Sequence, residues 1–169
     1  MSNTQPAQTI IALEHGPMLS ARDSALEQVC ERIVDAGLVG ARWVLFPEGC
    51  IPGYPAWVWA VRSGDNPLLD ALHTEALASA VSIPSSVIDR LCCVAQRAQI
   101  NVVVGVIERD VTDQSTTFSN TLLCIDAQGQ MVGTYRAPYS REATQFDWFP
   151  AAIMRPTDEA SLLTHVGGI

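Results

Sequence analysis

The chain has 169 residues, with ten basic side chains against 18 acidic ones, a formal net charge of −8 and a pI near 4.7. A balance this acidic argues against nucleic acid or an anionic membrane surface as a partner. Hydrophobic residues make up 48 % and charged ones 17 %, which excludes a disordered chain and fits one domain with its own core.

In chain order, residues 1–8 are polar and carry no basic stretch ahead of an apolar one. No apolar run reaches transmembrane length, so neither a signal peptide nor a membrane span is read here. Residues 9–13 read as a short buried strand, closed by the turn Glu14-His15-Gly16-Pro17. Ser20 is placed to cap a helix in which Leu26, Val29, Cys30, Ile33 and Val34 fall at helical spacing, and Gly37 and Gly40 are expected to end it. Residues 42–46 form the next strand. The resulting β-α-β unit favours parallel strands with the helix on the sheet face.

A Pro-Gly turn follows, then Trp57-Val58-Trp59 and a polar break at 63–67. Residues 68–81 read as a helix. Ile83-Pro84-Ser85-Ser86 opens a second β-α-β unit whose helix presents Val87, Leu91, Val94 and Ala98 on one face. Residues 101–107 are a continuous apolar strand ending at Glu108-Arg109-Asp110, and such runs suit strands covered on both faces, as at Val44, Phe46, Val102, Val104 and Val106. A polar loop at 112–117 leads to a strand over 118–126. Ala127-Gln128-Gly129 turns the chain and 130–135 returns, a hairpin signal. From 137 to 159 no period is evident, and 161–166 read as one more strand.

The five cysteines are odd in number and none has metal-ligand spacing, which points to a reduced, cytoplasmic protein with no metal site. Cys30, Cys92, Cys93 and Cys124 read as packing residues. His15, His73 and His165 read as ordinary turn or surface histidines.

The chemistry concentrates in Trp43-Val44-Leu45-Phe46-Pro47-Glu48-Gly49-Cys50-Ile51-Pro52-Gly53-Tyr54-Pro55. An apolar strand ends in a proline and a lone carboxylate, and a turn follows. Desolvation at a strand mouth disfavours the charged form of Glu48 and raises its pKa, which suits a general base working near neutral pH. A plain loop-capping role is the alternative reading of such a residue. Cys50 lies two positions on, without the base and oxyanion geometry that a nucleophile requires.

This segment resembles the first active-site segment of the nitrilase superfamily, and Ile-Pro-Gly-Tyr-Pro resembles its nitrilase branch. The strand 103–107 with its exit at Glu108-Arg109-Asp110, the run Asn120-Thr121-Leu122-Leu123, the turn Asp126-Ala127-Gln128-Gly129 and the return strand Gly133-Thr134-Tyr135-Arg136 agree with the family in order and spacing. The resemblance implies an α/β fold, the family's four-layer α-β-β-α sandwich, of which residues 1–169 hold the N-terminal part of a single domain. It implies hydrolysis of a nitrile to a carboxylic acid and ammonia without a cofactor. A cysteine thiolate attacks the nitrile carbon, a glutamate (here Glu48) is the general base, and a lysine stabilises charge developing on nitrogen. A small-molecule nitrile is the implied substrate and a homo-oligomer the expected assembly.

The chain departs from the pattern in two places. The return strand of the family runs into an Arg-Lys pair, whereas here Arg136 is followed by Ala137, and all ten basic residues are arginine. Arg136 is therefore the expected nearest cation to a mostly buried Glu48, although guanidinium and ammonium differ in geometry and proton affinity. The run Thr164-His165-Val166-Gly167-Gly168-Ile169 resembles the approach to the nucleophilic cysteine, which the chain does not reach. Residues 137–159 match poorly. Glu142 sits at the wrong spacing for a second active-site glutamate, Glu108 to Asp110 read as a structural ion pair, and Tyr54, Trp57 and Trp59 line a pocket or pack. An inactive remnant that binds a subunit, and an amidase or carbamoylase of the same superfamily, stay open as alternatives. Self-association through an open sheet edge is expected of a partial sandwich.

Overall fold

The computed structural model describes residues 9–13, 21–53, 67–111 and 116–138. These form β1 (Ile10–Ala12), α1 (Arg22–Leu38), β2 (Trp43–Leu45), α2 (Pro67–Ala78), α3 (Ser86–Ala98), β3 (Asn101–Val111), β4 (Thr116–Ile125) and β5 (Met131–Pro138). The five strands make one mixed sheet in the order β1-β2-β3-β4-β5. β1, β2 and β3 run parallel, with α1 between the first two and α2 and α3 between the second two, and β3, β4 and β5 run antiparallel. Both β-α-β units and the hairpin read from the sequence are present. The expected strand over 161–166, the 14–17 turn, and residues Ser20, Tyr54, Trp57, Trp59, Glu142 and His165 fall outside the described residues. So does the side chain of His73. Among the described residues, no helix is long and apolar enough to cross a membrane.

The core lies between the sheet and helices α1 and α3. Val44, Val102, Val104 and Val106 are fully buried and Phe46 is 5 % exposed, as their continuous apolar runs require. Val29, Cys30 and Ile33 of α1 and Leu91, Val94 and Ala95 of α3 join the same cluster. Side chains alternate across a strand, so Val102, Val104 and Val106 face the helices while Val103, Gly105 and Ile107 face the other way.

Three details of α1 differ from the sequence reading. Val34 is exposed at 43 %, at the edge of the α1 stripe. Helix α1 begins at Arg22 with Ala21 at its N-cap and no side-chain cap. It also runs past Gly37, which sits against the end of α3: a Cβ there would lie 2.9 Å from the Ala98 carbonyl oxygen. Gly37 is thus a helix–helix contact residue rather than a stop, and the stop is the turn at Val39 and Gly40.

Candidate active site

The parallel edge of β3 is covered in turn by three separate pieces of chain. β2 pairs first, up to Phe46, whose N–H donates to the Val103 carbonyl (2.8 Å). The chain then leaves the sheet and returns at Ile51, where Ile51 N–H donates to Gly105 O (3.3 Å) and Ile107 N–H to Ile51 O (2.8 Å). Val81 closes the edge next to Glu108. Residues 47–50 are therefore looped out over β3. Proline tolerates this position, because it has no N–H to contribute to a ladder.

The loop rests on Gly105. A Cβ at that position would stand 2.5 Å from Pro47 O, 2.7 Å from Glu48 Cα and 3.0 Å from Gly49 N. Only a residue without a side chain lets the backbone approach so closely. The sequence carried the signal, a lone glycine inside a β-branched run, but the consequence for Glu48 depends on the fold.

Glu48 thus stands at the exit of β2, as the sequence reading placed it. Its residue as a whole is exposed rather than mostly buried, because the loop lifts it off the sheet. Its Oε1 is nevertheless covered by Asn120, whose Nδ2 donates to it from β4. Asn120 pairs with Ile107 and so lies on the Gly105 face, under the loop. Burial of the carboxyl pushes its pKa above the ordinary carboxylate range, and the Asn120 amide works against that push by favouring the charged form.

A raised folded-state pKa means the folded protein holds this proton more tightly than the unfolded chain. Stability is then lost as pH rises from the unfolded value, about 4.3, through the folded one, and stays lost at neutral pH. Glu48→Gln removes the charge and keeps an oxygen for Asn120. The variant is expected to melt about 1–2 °C higher at pH 7, a small effect because solvent screens the site, and to lose that advantage near pH 3. Parallel melts at the two pH values check this.

Arg136 does not serve Glu48. Its Nε donates to Glu108 Oε2 (2.6 Å) and its Nη2 to Glu108 Oε1 (2.8 Å), while Thr121 Oγ1 donates to Glu108 Oε2 (2.6 Å). The ion pair expected within Glu108-Arg109-Asp110 is replaced by a different one: Glu108 pairs with Arg136, two strands away. Burial alone would raise the Glu108 carboxyl; Arg136 and Thr121 more than offset it, and its pKa lies below the ordinary range. Glu108 follows Ile107, so the pair occupies the face opposite Asn120.

Cys50 is fully buried, and burial pushes its thiol up to about 12. It stays protonated at neutral pH and is no thiolate nucleophile. Cys30 and Cys124 are buried as expected, with thiols raised by burial. Cys92 is half-buried, and Cys93 is exposed, against the packing role read for it, because it falls off the buried Val87–Leu91–Val94 stripe of α3. Among the described residues, no group of three or more His, Cys, Asp or Glu side chains could hold a metal. The position where the resemblance calls for lysine, residue 137, is the register partner of Asn120. In the sequence Asn120 stands out only as the first residue of a family-like run, with no role attached; only the β3–β4 register puts it beneath Glu48.

Comparison with known proteins identifies the family. A family model described as carbon-nitrogen hydrolase matches residues 10–142. The chain is 34 % identical over 121 residues to a curated protein, Nitrilase 3 of an unknown prokaryotic organism, covering 72 % of this chain and 35 % of that protein. It is 28 % identical over 148 residues to a nitrilase of Bacillus sp. strain OxB-1, covering 88 % and 41 %. The chain thus spans about two fifths or less of the length of these relatives. Among solved structures, a variant of the Nesterenkonia AN1 amidase from the nitrilase superfamily has the same fold, with a TM-score of 0.53 at 18 % identity over 86 % of this chain and 49 % of that one.

Proposed function

The chain belongs to the carbon-nitrogen hydrolase family, and on that premise we propose that Glu48 is the general base of a nitrile-hydrolysing centre. The observation that carries this reading is the placement of its carboxylate: at a strand exit, looped over Gly105, anchored by Asn120 and raised in pKa by burial. A carboxylate with a raised pKa takes a proton from a thiol or water with a smaller mismatch in proton affinity. Two curated relatives bear the name nitrilase, which favours a nitrile over an amide as the substrate. The expected products are a carboxylic acid and ammonia.

The remaining roles are not filled by the described residues. Cys50 is a buried thiol, Arg136 is committed to Glu108, and Ala137 stands in register with Asn120. These favour a second reading for this chain by itself, a catalytically inactive member of the family or a subunit-binding protein. Removing one member of a catalytic set removes most of the rate, because the members act together.

Two measurements test the proposal. The purified chain is expected to release no ammonia from benzonitrile or phenylacetonitrile above background; release that disappears in Glu48→Gln would show a complete centre. Phenylacetonitrile is expected to shift the NMR signals of the Glu48 side chain and the Asn120 amide. Shifts with phenylacetamide alone would move the reading to an amidase, and shifts with neither would remove the ligand site.

A further inference from the structure

Two asparagines are buried in the sheet, and their hydrogen bonds differ in kind. Asn101 is satisfied at both ends by the backbone: its Nδ2 donates to Arg42 O (2.9 Å) and its Oδ1 accepts from Ala127 N–H (3.1 Å). It ties β3 to the segment before β2 and to the hairpin turn, which is a structural task. Asn120 is equally buried, at 6 % exposure. Its Nδ2 goes to the Glu48 carboxylate and its Oδ1 has no partner among the described residues.

A buried amide left half satisfied costs free energy that an apolar residue of the same size would not. Leu122 and Cys124 follow Asn120 on the same face of β4, so an apolar residue fits the pattern of the strand. The cost at Asn120 therefore has its return at Glu48. The loop that carries Glu48 has no ladder bond of its own between Phe46 and Ile51, and the residue as a whole is exposed. A donor rooted in the middle of a three-stranded antiparallel stretch gives that carboxylate a fixed direction.

We propose that Asn120 is a positioning residue for Glu48: it orients the carboxylate over the Gly105 face from a rigid strand. This rests on the reading of Glu48 as the site's base, but the contact itself can be tested without any catalysis. The charged pair Glu108–Arg136 lies on the opposite face and Cys50 stays a neutral thiol, so neither disturbs a titration of Glu48 across the acid range.

The experiment follows the Glu48 side-chain carboxyl by carbon-13 NMR through a pH titration of the full chain, for the parent, Asn120→Leu, Asn120→Ala and Asn120→Ser, with a thermal melt of each. Positioning gives an upward shift of the Glu48 titration in the Leu and Ala variants, since the donor to the charged form is gone. The Ser variant, with a shorter hydroxyl donor, returns part of the shift. Melted at pH 3, where Glu48 is protonated in every variant, the Leu variant melts at or above the parent, because an unsatisfied amide has been replaced by apolar volume. A Glu48 titration that stays at the parent value in both Leu and Ala variants overturns the proposal, and so does a Leu variant that melts lower with Glu48 unmoved, which is the signature of a merely structural asparagine. Should Asn120→Leu fail to fold, Ala and Ser carry the comparison. Ligand shifts lost from every protein while the Glu48 titration responds as described would count against the nitrile reading and leave the positioning role standing.

Discussion

Gly105→Ala is expected to lose about 3 kcal/mol of stability and to melt roughly 6–12 °C lower, an effect at the upper end of what added core volume causes. The new methyl would stand 2.5 Å from Pro47 O and 2.7 Å from Glu48 Cα. Both are backbone atoms, so no side-chain rotamer can make room. The loop has to lift away from β3, which breaks the Ile51 return bonds or pulls Glu48 off Asn120. The loss of the Glu48 contact follows from the same movement, and the Asn120 amide signal is expected to shift with it. Gly133→Ala is the matched control. Its methyl meets only the Cys124 Cβ, at an ordinary 3.8 Å, and its stability is expected to stay within about 0.5 kcal/mol of the parent. Urea melts of the two variants check both statements. A Gly105→Ala protein as stable as the parent would mean that the loop does not rest on the strand.

How much of this was readable in advance varies with the range of the interaction. Continuous apolar runs over 42–46 and 101–107 announced central strands, and the hairpin turn at 127–129 announced itself, because both signals are local. The end of β3 was placed too early. Glu108 interrupts the apolar run, yet the ladder with β4 continues to Val111, and what makes the carboxylate tolerable there is Arg136 on β5. No local pattern encodes a partner across two strands. Gly37 was ambiguous for a similar reason: a glycine near the end of a helix reads as a stop, and only the approach of Ala98 from α3 shows it to be a packing contact. For the site, Phe46-Pro47-Glu48 was sufficient to locate the carboxylate. It was not sufficient to give its surroundings, since Asn120 comes beneath Glu48 by register alone and Arg136 turns to the opposite face by the alternation of β5.

That alternation makes Arg136 the second residue with a large expected effect. Glu108 keeps only 5 % of its side chain exposed, while Arg136 keeps 49 %. Arg136→Ala leaves a buried carboxylate with the Thr121 hydroxyl as its remaining partner among the described residues. Breaking a fully buried pair costs about 3–5 kcal/mol; with the guanidinium half in water a loss of about 2 kcal/mol at pH 7 is expected. The pH dependence identifies the cause. In the parent, Glu108 is held below its ordinary pKa, so its contribution is fully present above the unfolded value, about 4.3, and is lost as pH falls through the lower folded one. In the variant burial acts against the Thr121 hydroxyl alone and raises the Glu108 pKa, so the folded protein gains rather than loses stability as the carboxyl is protonated. The gap between parent and variant is therefore expected to be widest near pH 7 and to narrow toward pH 3. In a Glu108→Gln background the same Arg136→Ala change is expected to cost much less, since no buried charge is left behind, and the difference between backgrounds measures the coupling. Arg136→Lys restores the charge without the two-pronged geometry and is expected to fall between the two. Equal costs in both backgrounds, or a gap that does not change with pH, would show that Arg136 stabilises β5 by packing and not by neutralising Glu108.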